Sequence, residues 1–112
     1  MDLIGYLNKE VDIIIDRPLN STHPKYKDTV YPVNYGYIPN TKNDDSEEID
    51  VYVLGIDKPL KTFNGKVIAI IYRLNDNDDK LIAAPKNYNP SDNEIQQAVE
   101  FQEKYFKYKI LR

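Results

Sequence analysis

Ile49-Asp50-Val51-Tyr52-Val53-Leu54-Gly55 reads as a β-strand, because β-branched and aromatic residues alternate along it and a glycine closes the run. The alternation sends Asp50, Tyr52 and Leu54 to one face and Ile49, Val51 and Val53 to the other. A carboxylate therefore lands at the edge of a buried surface. Left unpaired there it is costly, and a bound cation or a lysine is the remedy the chain has to supply.

Working outward, a second β-type run starts at Val11, carries Ile13, Ile14 and Ile15, and ends in Asp16-Arg17-Pro18, where proline removes a ladder donor. That strand delivers Asp16 and Arg17 at its exit. The aromatic spacing of Tyr31-Pro32-Val33-Asn34-Tyr35-Gly36-Tyr37-Ile38-Pro39 suits a short strand or bend. Asn64-Gly65 reads as a hairpin turn leading into Lys66-Val67-Ile68-Ala69-Ile70-Ile71-Tyr72-Arg73-Leu74, the best central strand in the chain, and Lys80 to Ala84 reads as the next. From Ser91 the period changes. Ser91 and Glu94 have capping-box spacing behind Pro90, and Ile95, Ala98, Val99, Phe101, Tyr105 and Phe106 share one face of a helix predicted to run to about Lys107. The tail from Tyr108 to Arg112 has the length of a final short strand. Five or so strands and one helix, joined by loops that fit antiparallel connections, predict a mainly β (α+β) fold: a small barrel with the helix packed on it.

Length and composition narrow the function. A chain of 112 residues buries roughly 65% of its unfolded surface, enough for one small core, so residues 1–112 are expected to form a single domain. The absence of cysteine excludes disulfides, thiolate metal sites and a cysteine nucleophile. The net charge of −3 lacks the basic stripe of a duplex binder, so no nucleic-acid partner is expected. No apolar run approaches the roughly 20 residues of a membrane span, and Met1-Asp2-Leu3-Ile4-Gly5 lacks the basic start of a signal peptide, so the expectation is a cytoplasmic protein without a membrane partner. Ten tyrosines stand against three phenylalanines and no tryptophan, a surplus of side chains that pack with one end and donate a hydrogen bond with the other.

Carboxylates and cations gather at strand ends in three places: Asp16-Arg17, Asp44 to Asp50, and Arg73 to Lys80. Taken singly, each acidic loop reads as a solvated turn. Taken together, all-oxygen ligands with one histidine and no cysteine favour a hard ion, Mg²⁺ first with Mn²⁺ as a substitute, and interleaved lysine and arginine suit a di- or triphosphate. The first loop lacks the ligand spacing and glycine of a calcium-binding EF-hand, and no glycine-rich phosphate loop is present. His23 reads as a surface histidine without a role.

Three blocks resemble the soluble inorganic pyrophosphatases, enzymes built on an oligonucleotide/oligosaccharide-binding (OB) type barrel. They are the aromatic stretch from Tyr31 to Ile38, the segment Asp45-Ser46-Glu47-Glu48-Ile49-Asp50-Val51, which is similar to that family's Asp-x-Asp-Pro-x-Asp-Val signature, and Asp76 to Pro85. The resemblance implies a five-stranded OB-type barrel with a C-terminal helix and Mg²⁺-dependent hydrolysis of pyrophosphate or a larger phosphoanhydride, with a non-catalytic barrel that binds a metal-phosphate metabolite as the alternative. It implies Asp45, Asp50, Asp76 and Asp78 as metal ligands with Asp16 near the metals, Glu47 as general base, and Lys25, Tyr35, Lys80 and Tyr105 as phosphate ligands. The segment between Tyr26 and Tyr31 is shorter than in well-known members and omits the hairpin that carries a phosphate-binding arginine, leaving Arg17 or Arg73 to supply that cation. Assembly as a homo-oligomer is also implied.

Overall fold

A computed structural model describes residues 3–112. A short 3₁₀ turn at Ile4–Tyr6 precedes strands β1 (Glu10–Arg17), β2 (Asn34–Ile38), β3 (Ile49–Val53), β4 (Thr62–Arg73) and β5 (Lys80–Ala84), then helix α1 (Asp92–Glu103) and strand β6 (Tyr108–Leu111). The sheet order is β1-β2-β3-β5-β4-β6, and a further β1–β4 pairing closes the first five strands into a barrel. One edge of the long β4 pairs with β5, while its other edge takes β1 along its first half and β6 along its second. The expected OB-type barrel with its C-terminal helix and short final strand is what forms.

Alternation in the strands builds two cores. Val11, Ile13 and Ile15 of β1, Ile38 of β2, Ile49, Val51 and Val53 of β3, Val67 and Ile70 of β4, and Leu81 and Ala83 of β5 fill the barrel. Tyr52, Ala69, Ile71 and Ile82 on the opposite strand faces meet Ile95 and Val99 of α1, with Tyr31, Val33 and Tyr35 at one side. The two faces expected for β3 are thus both covered, one by the barrel interior and one by the helix. Gly36 permits the β1–β2 contact, because a Cβ there would run into the Ile14 carbonyl oxygen.

Three expectations are corrected. Asn64-Gly65 is not a turn but lies inside β4, where Asn64 Nδ2 donates to Asp12 Oδ1 at 2.8 Å across the ladder to β1. Not every neighbouring pair is antiparallel, since β3 and β5 run parallel. The helix begins at the expected Ser91 capping box but ends at Glu103 rather than near Lys107, because the chain turns to lay β6 along β4.

Candidate active site

Each of the five barrel strands contributes to the wall of a cavity of about 820 Å³. Asp16 and Arg17 come from the end of β1, Tyr35 from β2, Asp50 from β3, Arg73 from the end of β4 and Lys80 from the start of β5. Phe101 and Gln102 of α1, the following Tyr105 and Phe106, and the loop residues His23 and Tyr31 complete much of the wall. A β-bulge sets the first pair: Ile15 is opposite Gly36 and Arg17 opposite Tyr35, so Asp16 is the extra residue. Bulges re-aim a strand locally, and this one lies where β1 delivers Asp16 and Arg17 to the cavity.

Lys80 organises the centre. It is only 3% exposed, and its Nζ donates to Asp50 Oδ2 at 2.7 Å and to Asp78 Oδ2 at 2.6 Å. A buried ammonium is tolerated because two carboxylates hold it. The lysine that Asp50 required is therefore present. Lys80 Nζ also lies 5.6 Å from the centre of the Tyr35 ring. Burial first, and then the neighbouring Asp50 charge, push the Tyr35 hydroxyl well above the usual phenol range, so Tyr35 stays protonated and remains a donor. Burial likewise raises the Asp16 carboxyl, against the pull of Arg17, whose NH1 is 3.7 Å from Asp16 Oδ2.

Aromatic side chains form the floor. Tyr31 lies 5.6 Å from Tyr35 and 5.3 Å from Phe101, and Tyr52 lies 5.0 Å from Tyr35 and 6.0 Å from Phe101, all between ring centres. Several of the surplus tyrosines are thus used in one place. His23 is half-buried and stacks on Tyr31, and its Nδ1 accepts the backbone N–H groups of Lys25 and Tyr26 at 3.0 and 3.1 Å. That acceptor role requires an unprotonated Nδ1, which makes His23 a brace for the loop.

Behind the cavity, Glu103 is 0% exposed and accepts from Arg73 Nε at 2.9 Å, Arg73 NH2 at 2.8 Å and Tyr52 Oη at 2.6 Å. The Phe106 ring flanks the guanidinium at 3.7 Å. Burial works against the Arg73 charge, but the hydrogen bonds and charge of Glu103 outweigh it and hold the guanidinium pKa above its ordinary value.

Of the residues singled out in the sequence, the fold brings Asp16, Arg17, Tyr35, Asp50, Asp78, Lys80 and Tyr105 to one cavity, with Tyr105 at the rim and 71% exposed. Lys25, Asp45, Glu47 and Asp76 are not among its lining residues. Glu47 is exposed on the loop before β3, where its N–H donates to Asp45 Oδ1 at 3.0 Å. Of the two candidate compensating arginines, Arg17 is the accessible one; Arg73 is 6% exposed and engaged with Glu103. Sequence reasoning missed Gln102 and Glu103. The available signal was the i, i+4, i+8 spacing of Ile95, Val99 and Glu103, which places a carboxylate on the apolar helix face.

Among the described residues no three His, Asp or Glu side chains converge into a ready-made ion cage. The acidic donors on the cavity wall are nonetheless carboxylate oxygens, and Asp78 Oδ1 is buried without a hydrogen-bond partner. Such an atom is satisfied by a hard divalent cation, so the wall fits one in its chemistry.

The inorganic pyrophosphatase family model matches residues 8–110. An inorganic pyrophosphatase of Saccharolobus solfataricus is 39% identical over 85 residues, covering 71% of this chain and 46% of the relative. One from Xylella fastidiosa is 32% identical over 102 residues, covering 70% of this chain and 56% of the relative. The chain thus spans about half the length of these relatives. The crystal structure of the inorganic pyrophosphatase from Ehrlichia chaffeensis superposes with a TM-score of 0.71 at 21% identity, over 92% of this chain and 85% of that one, a likeness of fold.

Proposed function

This chain belongs to the inorganic pyrophosphatase family, and from that premise we propose that it hydrolyses pyrophosphate to two phosphates with a divalent cation, Mg²⁺ first and Mn²⁺ as a substitute. The observation that carries the reading is the cavity, where Asp16, Asp50 and Asp78 stand beside Lys80, Arg17 and the hydroxyl of Tyr35. Asp50 and Asp78 would hold the metal, with Asp16 close by and with Asp45 as an outer carboxylate. When bound, the ion lowers the pKa of a coordinated water and neutralises phosphate oxygens.

The chain's own groups do the rest. Lys80, whose ammonium donates to two carboxylates, would offer a donor to a phosphate oxygen where a bound cation shares their charge. Tyr35 donates as a neutral phenol. Arg17 supplies the accessible guanidinium at the strand exit, and Tyr105 and Lys25 meet the outer phosphate from the rim and the adjoining loop. Glu47, exposed on the loop three residues before Asp50, would act as the general base toward the attacking water.

A larger phosphoanhydride is a second reading, favoured by a cavity of about 820 Å³, a size within the range of pockets that enclose drug-sized ligands. The reaction takes place in the cytoplasm on this reading, and the chain assembles as a homo-oligomer, which light scattering on purified protein tests. Phosphate release with Mg²⁺ from pyrophosphate, nucleoside triphosphates and sugar-linked diphosphates separates the substrates. Asp50→Asn and Glu47→Gln are expected to lower the rate by about a hundredfold or more. Wild-type release no faster than these variants on any substrate refutes hydrolysis and leaves a barrel that binds a metal-phosphate metabolite.

A further inference from the structure

The second acidic loop is folded around an arginine. The Arg73 backbone N–H donates to Asp79 Oδ1 at 2.9 Å, and its NH1 lies 3.8 Å from both Asp76 Oδ1 and Asp78 Oδ2. Asp78 N–H closes the turn on Asp76 Oδ1 at 2.7 Å. Glu103 takes the Nε and NH2 donors and Phe106 covers the guanidinium plane, so the charge is fixed in position and not free to swing out. Arg73 also stands in the wall between two surface depressions. Asp78 lines the cavity, whereas Asp76 lines the separate depression on the other side, with Tyr72, Asn77 and Asp79.

Two carboxylates that converge on a fixed guanidinium differ from two that await an ion. The same positive charge that orders them makes a further cation between them unfavourable, while Asp78, which lines the cavity, keeps the capacity of its buried, unpartnered Oδ1. We propose that Arg73 is a positioning residue that takes the place of a metal ion in this loop: it neutralises Asp76, aims Asp78 into the cavity, and leaves Asp76 outside the metal-ligand set. The inference rests on the reading that the cavity takes a divalent cation, and it departs from the assignment of Asp76 that the family resemblance implies.

The test is Mn²⁺ binding to the full chain, followed by the electron paramagnetic resonance of free Mn²⁺, which needs no turnover. Asp76→Asn is expected to leave the number and affinity of bound Mn²⁺ as in wild type, while Asp50→Asn weakens binding about tenfold or more. Arg73→Met paired with Glu103→Met removes the guanidinium without stranding its partner, and is expected to bind one further Mn²⁺, which is lost again when Asp76→Asn is added. Arg73→Lys, which retains the charge, is expected to keep the wild-type number. Loss of a bound Mn²⁺ in Asp76→Asn overturns the proposal, as does an unchanged number in the paired variant when its thermal transition shows it folded. Should the pair not fold, the exposed Asp76→Asn substitution still decides. Wild-type binding in Asp50→Asn would instead refute the cavity's divalent-cation reading itself, so the two failures are distinct.

Discussion

Arg73→Met and Glu103→Met should each destabilise the protein strongly, and the two together should cost less than either alone. Glu103 is 0% exposed and holds three hydrogen bonds, two from Arg73 and one from Tyr52. Removing one member of such a buried pair costs about 3–5 kcal/mol, whereas replacing both by apolar side chains of similar volume is often near neutral. The surroundings rank the single changes. Without Glu103, Arg73 keeps Asp76 and Asp78 at 3.8 Å; without Arg73, Glu103 keeps only the Tyr52 hydroxyl. Glu103→Met therefore belongs near 3 kcal/mol and Arg73→Met near 5, about the two ends of that range. For a domain of about 100 residues, 3 kcal/mol corresponds to a fall in melting temperature of roughly 12–24 °C. Urea unfolding of wild type, both single variants and the double variant measures all of this. The reasoning is refuted if either single change costs under about 1 kcal/mol, or if the double variant is less stable than both.

Gly36→Ala should cost about 3 kcal/mol or more by forcing β1 and β2 apart at the Ile14 carbonyl, with the loss read as a lower urea midpoint. Ser91→Ala removes the side-chain half of the capping box and should cost about 1 kcal/mol by the same assay. Alkaline pH should unfold the chain: burial raises the Tyr31, Tyr35, Tyr52 and Tyr108 hydroxyls, the last to about 12, so the stability they contribute is present below the unfolded phenol value of about 10 and is lost as pH rises through their folded values. Absorbance at 295 nm checks this, and a single smooth titration of all ten tyrosines near pH 10 without unfolding would contradict it. Mg²⁺ at a hundred times its dissociation constant should stabilise the fold by about 2.7 kcal/mol, a gain abolished by EDTA and weakened in Asp50→Asn.

Local chemistry made β3 and the start of α1 readable. The alternation from Ile49 to Leu54 located two buried faces, and the expense of a half-buried Asp50 correctly called for a cation, which is Lys80. The helix start was legible because Ser91 and Glu94 satisfy each other within four residues. Its end was not, since what stops it is distant: Glu103 is fixed to Arg73, thirty positions earlier, and the next residues are drawn to the edge of β4. The same limit explains Asn64-Gly65. Its composition favours a turn, but a cross-strand bond to Asp12 and the β1 ladder keep it extended. The bulge at Asp16 depends on how β2 packs against β1, which alternation alone does not encode.

The charge balance at the cavity links these local facts to the proposed chemistry. Asp50, Asp76, Asp78 and Glu103 are connected through Arg73 and Lys80, which leaves four carboxylates on two cations. The cavity wall itself carries Asp16, Asp28, Asp50 and Asp78 against Arg17, Arg73 and Lys80, a formal surplus of one negative charge that disfavours a bare polyanion at close range, where solvent screening is weak. A divalent cation would both complete Asp78 Oδ1 and offer a phosphate its counter-charge. On the proposed function, metal and anion binding would be coupled through Lys80, since a cation held by Asp50 and Asp78 would free ammonium donors for the phosphate. Arg73 would not join such an exchange, because its fork is closed on Glu103, and the loop it orders would stay in place.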